Sequence, residues 1–320
     1  MGKSKKGRSI VMRMVNASVA LLDEKDPFKK IERAGRICYK SEDKITEDSA
    51  KKFVETMIRS QHYAMLEHAN FVFEVKNRSY FNILQTERFL NCTKELLPSG
   101  ELRMLVSGNL RAINEAENAW QLAFVLAKTY PELVYRKDIT YAVDNDDVPF
   151  VKMVSLDELT HTAYPPTDME ILAHCYLTFI FTTDRGVTHE IVRHRIASFA
   201  QESTRYCCYN KEKFGGGLTI ALPDDFGDKA PEVQEEYQAA WEDAERHYLK
   251  LLDMGETAQQ ARGVLPHHVK ADIVMTANMG EWKHFFDLRY LGTTGAPHPD
   301  MRAVAKMAYD LCPQEIKNII

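Results

Sequence analysis

Three arginines and a histidine stand close together in one short segment of this sequence, among hydroxyl and amide side chains. Arg193, His194 and Arg195 are followed after seven residues by Ser203, and Arg205 lies two positions further on. Guanidinium groups form charge-assisted hydrogen bonds with phosphate and carboxylate oxygens, often two at a time. The segment is therefore suited to binding an anionic ligand rather than to filling a core.

An arginine cluster is more often a solvated surface or a set of partners for nearby carboxylates, and composition alone favours that interpretation. The order of the residues favours a site. Arg-His-Arg, seven residues, Ser, and then Arg-Tyr resembles the signature of the flavin-dependent thymidylate synthases. A match at this spacing is far more specific than an isolated glycine motif.

A second segment carries the same resemblance. The chain reads Ala-Arg-Gly-Val-Leu-Pro from Ala261 to Pro266, continues to Asn278, and closes a helical stretch on Leu288-Arg289. This order is similar to the C-terminal signature of the same family. Two matches in order, about seventy residues apart, are not expected by chance.

A weaker match lies upstream, where Gln61 to His68 reads Gln-His-Tyr-Ala-Met-Leu-Glu-His before an alternating strand pattern. It resembles the family's Gly-His-x-Ser/Thr-x-x-Glu-His element. Gln61 stands where glycine is usual, and Ala64 stands where a hydroxyl would contact the flavin. At Ala64 only the backbone could serve the cofactor.

The resemblance implies a reaction and its ligands. Members of the family transfer a one-carbon unit from methylenetetrahydrofolate to deoxyuridine monophosphate (dUMP) and reduce it with a flavin hydride that NADPH supplies, which yields thymidylate. FAD would be held at subunit junctions of a homotetramer with shared active sites, so no dinucleotide-binding Gly-x-Gly-x-x-Gly is needed. The partners would be the small molecules dUMP, folate and NADPH.

The same resemblance assigns roles to individual residues. Those expected to contact FAD are His62, Ala64, Arg193, His194, Arg195, Gln201, Asn278 and His284. Those expected to contact dUMP are Glu190, Arg193, Gln201, Glu202, Ser203, Thr204, Arg205, Arg262 and Arg289. Without the motif, Asn278 is equally well a polar core residue and His284 a helix-surface histidine.

Arg289 is the residue to which we assign catalysis. The uracil ring must carry negative charge to attack a one-carbon electrophile, and a guanidinium beside the ring would stabilise that developing charge. Glu190 occupies a position where the shorter members have glutamine, and an ionised carboxylate can only accept hydrogen bonds.

Other chemistries fit the residues less well. His189 and His194 are five positions apart, so on a helix they diverge by about 140° and cannot share a metal as a zincin pair does. His267 and His268 have no further ligand at a convincing spacing, and we expect no metal site. Ser203 lacks a nucleophile elbow and an adjacent oriented base, which makes it a hydrogen-bonding residue rather than a nucleophile.

Two rival functions stay open at this point. One is a flavin- and folate-dependent methyltransferase acting on uridine in RNA, which the acidic net charge and the small basic cluster disfavour. The other is a nucleotide-binding module without chemistry, in which the arginines only hold an anion. The visible spectrum of the protein would separate the second from an enzyme, since an anion-binding module has no reason to be yellow.

Composition sets the outer limits. The 320 residues are 45% hydrophobic and 27% charged, which is typical of a globular chain with a substantial core. The net charge of −5 gives no electrostatic signature of nucleic-acid binding, and no apolar run approaches a membrane span. We therefore expect neither nucleic acid nor membrane as a partner.

Six cysteines show no Cys-x-x-Cys spacing, and the adjacent Cys207 and Cys208 are poorly placed to bridge each other. Small buried thiols in a reducing cytoplasm are the expectation. The basic N-terminus, about residues 1–8, lacks the apolar region of a signal peptide and is expected to be a disordered tail.

The pattern of elements predicts an α+β fold, with a mixed, largely antiparallel sheet flanked by helices in one catalytic domain, 1–320. A mostly helical insertion is expected over about residues 77–169. Predicted strands lie at about 9–22, 71–75, 177–183, 218–222 and 272–277. Predicted helices lie at about 26–38, 46–60, 110–128, from 184, at 231–253, and in segments ending at Arg289 and Leu311.

Overall fold

The computed structural model of the chain describes residues 12–139, 148–205, 209 and 216–320. The predicted tail at residues 1–8 and the pair Cys207-Cys208 lie outside the described residues. Within them the chain forms an α+β fold in which helices flank mainly antiparallel sheets, as the sequence predicts.

The strands are β1 (Arg13–Val15), β2 (Ser18–Leu21), β3 (Asn70–Val75), β4 (Leu90–Leu96), β5 (Leu102–Asn109), β6 (Val151–Val154), β7 (Tyr176–Asp184), β8 (Ser198–Gln201), β9 (Thr219–Ala221) and β10 (Lys270–Asn278). The α-helices are α1 (Pro27–Tyr39), α2 (Ser49–Arg59), α3 (Arg78–Leu84), α4 (Leu110–Glu115), α5 (Trp120–Thr129), α6 (Leu156–Thr160), α7 (Asp168–His174), α8 (Arg185–Ile191), α9 (Pro231–Asp253), α10 (Ala258–Ala261), α11 (Met279–Phe286), α12 (Pro299–Asp310) and α13 (Gln314–Lys317). Two shorter elements bear on the site, a 3-10 helix at Tyr63–His68 and a π-helical turn at Asp287–Leu291.

One four-stranded antiparallel sheet positions the candidate site. Its order is β2-β7-β10-β8, and β10 pairs with β7 along its whole length, from Lys270 opposite Asp184 to Asn278 opposite Tyr176. Strand β8 pairs only with β10 within this sheet, so the Arg-His-Arg segment that precedes it leads directly into an edge strand. A short parallel pair, β1 with β9, forms a separate two-stranded sheet that contacts β7 and β10.

The second sheet has the order β4-β5-β3-β6 and is also antiparallel. Three of its strands come from the stretch 77–169, which the sequence predicts only as a mostly helical insertion. Strand β5 is buried along nearly its whole length, because it lies between β4 and β3 and helices pack against it. The stretch therefore contributes the body of a sheet to the fold as well as helices α3 to α6.

Local signals explain where several helices begin. Asp26 accepts hydrogen bonds from the first-turn amides of α1, and Asp184 accepts one from the Val187 amide at 2.9 Å. A proline occupies the first turn of α1 and of α9, where no amide hydrogen is needed. Helix α2 begins at Ser49 rather than near residue 46, because the Ser49 hydroxyl accepts from the Thr46 amide and donates to Glu32.

Buried polar contacts join the two sheets. The Tyr176 hydroxyl at the start of β7 accepts from the Asn91 amide at 2.7 Å and lies 3.1 Å from the Ser107 hydroxyl, both on strands of the second sheet. His68, which is fully buried, lies 2.8 Å from the Thr276 hydroxyl on β10. Apolar packing adds to these contacts, since one core cluster combines Val274 of the first sheet with Phe73 and Val106 of the second.

Candidate active site

The Arg-His-Arg segment lies in the turn between α8 and β8. Val187 and Ile191 bury one side of α8 in the core, which directs the following residues to the helix end. His194 is buried, whereas Arg193 and Arg195 on either side of it are exposed. Within the described part of the chain, neither guanidinium has a hydrogen-bond or ion-pair partner. The turn thus presents two free cationic groups around a buried imidazole.

Arg289 reaches His194 from the opposite end of the sequence. Its Nε donates to His194 Nε2 at 2.9 Å, and its Nη1 donates to Glu190 Oε2 at 2.8 Å. The arginine lies in the π-helical turn, a feature often found at functional sites because it redirects a side chain. Three residues that the sequence assigns to the site are therefore in direct contact.

His194 is held in its neutral form. Burial, followed by the charges of Arg289 and His284, lowers the pKa of His194 to about 4. Accepting a hydrogen bond at Nε2 places the ring proton on Nδ1. The edge of the Phe285 ring packs against the imidazole at 4.8 Å between centroids, and the exposed His284 lies 6.2 Å away.

Asn278 ends β10 and caps α11, since its Oδ1 accepts from the Glu281 amide at 2.9 Å. Its side-chain nitrogen has no partner among the described residues. A narrow cavity of about 50 Å³ lies here, lined also by Asn70 and Ser198. The Asn70 Oδ1 atom is buried and has no hydrogen-bond partner, so a donor is missing at this position.

A larger cleft of about 500 Å³ adjoins this cavity. The two share Arg88, Phe89 and Asn109 from the second sheet and its connections, and residues 196–198 from the turn after Arg195. The stretch 77–169 therefore supplies one wall of the space beside the Arg-His-Arg segment.

Gln201 and Glu202, at the end of β8, make internal contacts. Gln201 donates to the Thr188 hydroxyl at 2.7 Å. Glu202 is almost completely buried and lies 3.3 Å from Lys40 and 3.1 Å from Lys270, which also contacts Asp272. Although burial acts against it, the Glu202 carboxylate raises the pKa of Lys40 above its usual value. Glu202 therefore serves as the anchor of a buried ion-pair cluster.

The residues that follow Glu202 meet the segment around Arg262. Arg262 Nη1 donates to the Thr204 hydroxyl at 3.4 Å, and Arg205 Nε donates to Gln259 at 3.0 Å. The Ser203 hydroxyl accepts from the Arg205 amide at 3.3 Å. The structure thus brings together the two signature segments that are far apart in the sequence.

His62 and Ala64 are exposed residues at the start of the 3-10 helix Tyr63–His68, which packs against β8. His62 Nδ1 lies 3.0 Å from the Tyr39 hydroxyl. Gln61 has φ of 58°, the left-handed region that favours glycine, which gives a physical reason for the glycine usual at this position. The element is next to the Arg-His-Arg turn, but no contact between His62 or Ala64 and the arginines is present.

Three residues at the site were not assigned to it from the sequence, which weighed His189 and His267 only as metal ligands and did not consider Arg185. Arg185, His189 and His267 line a cleft of about 360 Å³ together with Thr204 and Arg262. They belong to no signature, and their proximity depends on the pairing of β7 with β10. His268 instead receives a hydrogen bond from the Trp241 indole at 3.3 Å.

Comparison with known proteins identifies the family. The sequence profile of the thymidylate synthase complementing protein family matches residues 20–95 and 151–316, more than half of the chain. The chain belongs to this family. The profile leaves out residues 96–150, which lie inside the predicted insertion at 77–169.

Curated relatives match a shorter region. A flavin-dependent thymidylate synthase of Pyrococcus abyssi is 39% identical over 120 residues, which are 37% of this chain and 48% of the relative. Relatives of the same description from Geobacter sulfurreducens and Sulfolobus acidocaldarius are 38% identical over 122 residues and 34% identical over 134 residues, covering 37% and 42% of this chain and 50% and 47% of the relatives. The matches span about half the length of these relatives.

Among solved structures, a UMP/dUMP methylase PolB from Streptomyces cacaoi, bound with 5-Br dUMP, is similar over 93% of this chain and 91% of its own, with 16% identity and a TM-score of 0.42. Similarity at this level supports no conclusion about the chain. In the described residues, we find no group of three metal-binding side chains and no helix that is both long and apolar enough to cross a membrane.

Proposed function

We propose that this protein is a flavin-dependent thymidylate synthase, which methylates dUMP with methylenetetrahydrofolate as one-carbon donor and FAD, reduced by NADPH, as the source of hydride. The observation that carries the proposal is the contact of Arg289 with His194 and Glu190, because it brings the C-terminal signature onto the Arg-His-Arg turn. Membership of the family and the description of the matched relatives support it.

The residues present fit a flavin dinucleotide. Arg193 and Arg195 are exposed cations without a partner among the described residues, which suits a diphosphate. The buried, unpartnered oxygen of Asn70 and the free amide nitrogen of Asn278 line one cavity beside the same turn, which suits a ring system with both donors and acceptors. FAD would supply hydride transfer, a chemistry for which protein side chains have no equivalent.

Arg289 would stabilise charge on the substrate. Its guanidinium is held at two atoms, by His194 and by Glu190, so its orientation is fixed before a ligand binds. A preorganised cation stabilises developing negative charge without reorganisation at the moment of reaction. The neutral His194 adds no charge of its own, whereas Glu190 forms an ion pair with Arg289 at 2.8 Å, so the guanidinium would act on the uracil ring through direct hydrogen bonds rather than through a net local charge.

Ser203, Thr204, Arg205 and Arg262 would bind the nucleotide. They lie on two segments that contact each other, and two of the four are arginines. Ser203 lies beside no imidazole in the described contacts, so it would donate a hydrogen bond rather than act as a nucleophile. Glu202 forms ion pairs with two lysines, and its role would be to hold the start of the segment that carries Ser203, Thr204 and Arg205.

The proposal extends to assembly and location. We propose a homotetramer whose active sites combine residues of several subunits, in a reducing cytoplasm. Light scattering would give the mass of the assembly.

The test is direct. Purified protein should show the visible absorption of bound flavin and should convert dUMP to thymidylate when methylenetetrahydrofolate and NADPH are added together. A colourless protein that still binds dUMP would instead be a nucleotide-binding module. Methylation of uridine in RNA, with no reaction on free dUMP, would favour the RNA methyltransferase.

A further inference from the structure

The two four-stranded sheets are built to the same plan. Read from one edge, β4-β5-β3-β6 and β8-β10-β7-β2 have the same antiparallel pairing. Strand β5 ends on Asn109 opposite Asn70, and β10 ends on Asn278 opposite Tyr176. Both terminal asparagines also cap the helix that follows, α4 or α11. The chain therefore contains two related halves, in which position 109 corresponds to 278 and position 70 to 176.

The two halves meet through a reciprocal pair of contacts. His68, just before β3, lies 2.8 Å from the Thr276 hydroxyl on β10. His174, just before β7, lies 2.8 Å from the Ser107 hydroxyl on β5. Each hydroxyl stands two positions before the asparagine that ends its strand. Corresponding residues thus exchange corresponding contacts, which is the pattern of an interface with two-fold symmetry.

The narrow cavity of about 50 Å³ lies where the two halves face each other. Its lining includes both members of four corresponding pairs, namely Asn70 and Tyr176, Phe89 and Ile196, Asn91 and Ser198, and Asn109 and Asn278. Strand register fixes the correspondence, since Asn91 lies opposite Ser107 just as Ser198 lies opposite Thr276. The first half therefore supplies one wall of the cavity that the proposed function gives to the flavin ring.

The first half has lost most of the Arg-His-Arg signature. The same register places Arg88 at the position that corresponds to Arg195. Thr86 and Glu87 stand where the second half has its first arginine and its histidine. Arg88 lines the narrow cavity, whereas Arg195 does not. The guanidinium at this cavity thus comes from the half without the signature.

Arg88 is an exposed cation, and its Cζ atom lies 5.4 Å from the centre of the Phe89 ring. It has no hydrogen bond or ion pair among the described residues, whereas Arg111 in the adjoining cleft pairs with two glutamates. The neighbouring Glu87 accepts two hydrogen bonds at Oε1 from one asparagine. Glu281 is the one carboxylate among the described residues that line the narrow cavity, and burial raises its pKa. The charge of Arg88 is therefore available to a ligand.

We propose that Arg88 faces the flavin ring from the first half of the chain and stabilises the negative charge that the ring carries once it is reduced. The inference rests on the proposed function, and it assigns a residue that lies outside the signature segments. Hydride transfer from NADPH delivers two electrons and one proton to the ring, which leaves one negative charge until a second proton is bound. A positioned cation stabilises this anion more than the neutral oxidised ring, so it makes the flavin easier to reduce.

The experiment measures the midpoint potential of the bound flavin by reductive titration against a reference dye. Arg88→Gln should bind reduced flavin about tenfold more weakly relative to oxidised flavin, which lowers the midpoint potential of this two-electron couple by about 30 mV. Arg88→Lys keeps the charge and should recover most of the potential. The matched control is Arg78→Gln, at an exposed arginine of the same half that lines neither the cavity nor the adjoining cleft, and it should leave the potential unchanged.

Arg88→Met removes the charge but keeps an unbranched apolar stem beside Phe89, and it covers the case in which the glutamine variant does not fold. Equal midpoint potentials in Arg88→Gln and Arg78→Gln would overturn the inference. An equal loss of affinity for oxidised and reduced flavin in Arg88→Gln would overturn it as well. Unmodified protein that neither contains flavin nor binds added FAD would instead contradict the proposed function, before any variant is compared.

Discussion

Arg289 Nε donates to His194 Nε2 across 95 residues of sequence, and the distance is 2.9 Å. The contact couples the two signature segments at one point, since Glu190 holds a second nitrogen of the same guanidinium. Its geometry requires the planar fork of arginine, because Nε and Nη1 donate in different directions to different acceptors.

The first prediction concerns this fork. Arg289→Lys keeps the positive charge but cannot donate to both acceptors, so flavin content should stay normal while the rate of dUMP-dependent oxidation of reduced flavin falls about a hundredfold or more. Stopped-flow measurement with dUMP and methylenetetrahydrofolate gives that rate. Lys250→Arg, at an exposed position on α9, is the control, and a near-normal rate in Arg289→Lys would assign the chemistry elsewhere.

The second prediction concerns Ser203. If its hydroxyl only donates a hydrogen bond to the nucleotide, Ser203→Ala should reduce turnover by about two- to tenfold, the effect of about 0.5 to 1.5 kcal/mol. A covalent nucleophile would instead be indispensable. Steady-state assays of thymidylate formation distinguish the two, and complete loss of turnover with dUMP still bound would make Ser203 the nucleophile.

The third prediction concerns the two exposed arginines. Replacing Arg193 and Arg195 together by alanine should release the flavin, because each charge-assisted contact with a phosphate contributes about 1.5 to 3 kcal/mol. Neither side chain has an internal partner in the described structure, so the melting temperature should hardly change. The ratio of flavin to protein absorbance gives the content, and an unchanged ratio would remove the diphosphate assignment.

The fourth prediction separates two roles of Asn278. Asn278→Ala removes the cap of α11 and should lower the free energy of unfolding by about 1 kcal/mol. Asn278→Asp keeps an oxygen that can cap the helix but loses the amide hydrogens, so its stability should be normal while its flavin content falls. Urea unfolding measures the first quantity and absorbance the second. Normal flavin content in Asn278→Asp would leave Asn278 with the structural role alone.

The fifth prediction concerns pH. Burial lowers the pKa of His68 to about 3 and the pKa of His174 and of His194 to about 4. Positive charges near His68 and near His194 act in the same direction. In the unfolded chain these histidines take up a proton near pH 6.5. Between pH 4 and pH 6.5 the unfolded chain therefore binds more protons at these histidines than the folded chain does. The stability present above pH 6.5 should be lost as pH falls towards 4. One pKa unit corresponds to about 1.4 kcal/mol.

Urea unfolding at a series of pH values measures the slope of the free energy of unfolding against pH. His194→Gln should flatten it, because the amide oxygen can still accept from Arg289 but does not titrate. His161→Gln, at an exposed histidine, is the control and should leave the slope as it is. A steeper loss of stability above pH 6.5 than below it would contradict the assignment.

Much of the fold follows from local signals in the sequence. Asp26 and Pro27 predict the start of α1, Asp184 that of α8, and Pro231 that of α9, because capping and proline chemistry act over three or four residues. Strand β5 escaped prediction, since Leu102–Asn109 is buried on both faces and lacks the alternation of a half-exposed strand.

The site could be predicted only in part. The resemblance marked Arg289 and His194, which do meet, but it gave no reason to expect that Glu202 is surrounded by Lys40 and Lys270. Those contacts join residues 68 and more positions apart, and they depend on the register of β8 against β10. Arg185 was missed for a related reason, because the pairing of β7 with β10 brings it to His267, which precedes β10.

The cluster of Lys40, Lys270, Glu202 and Asp272 combines two positive and two negative charges and so has no net charge. The chain as a whole carries −5. An anionic nucleotide is therefore repelled by the net charge in low salt, and in physiological salt it is attracted mainly within about 8 Å of the arginines, the Debye length. Moderate salt should screen the repulsion during approach and also weaken the final contact, so the two effects oppose each other. Selection of the anion takes place at contact, with little electrostatic steering from a distance.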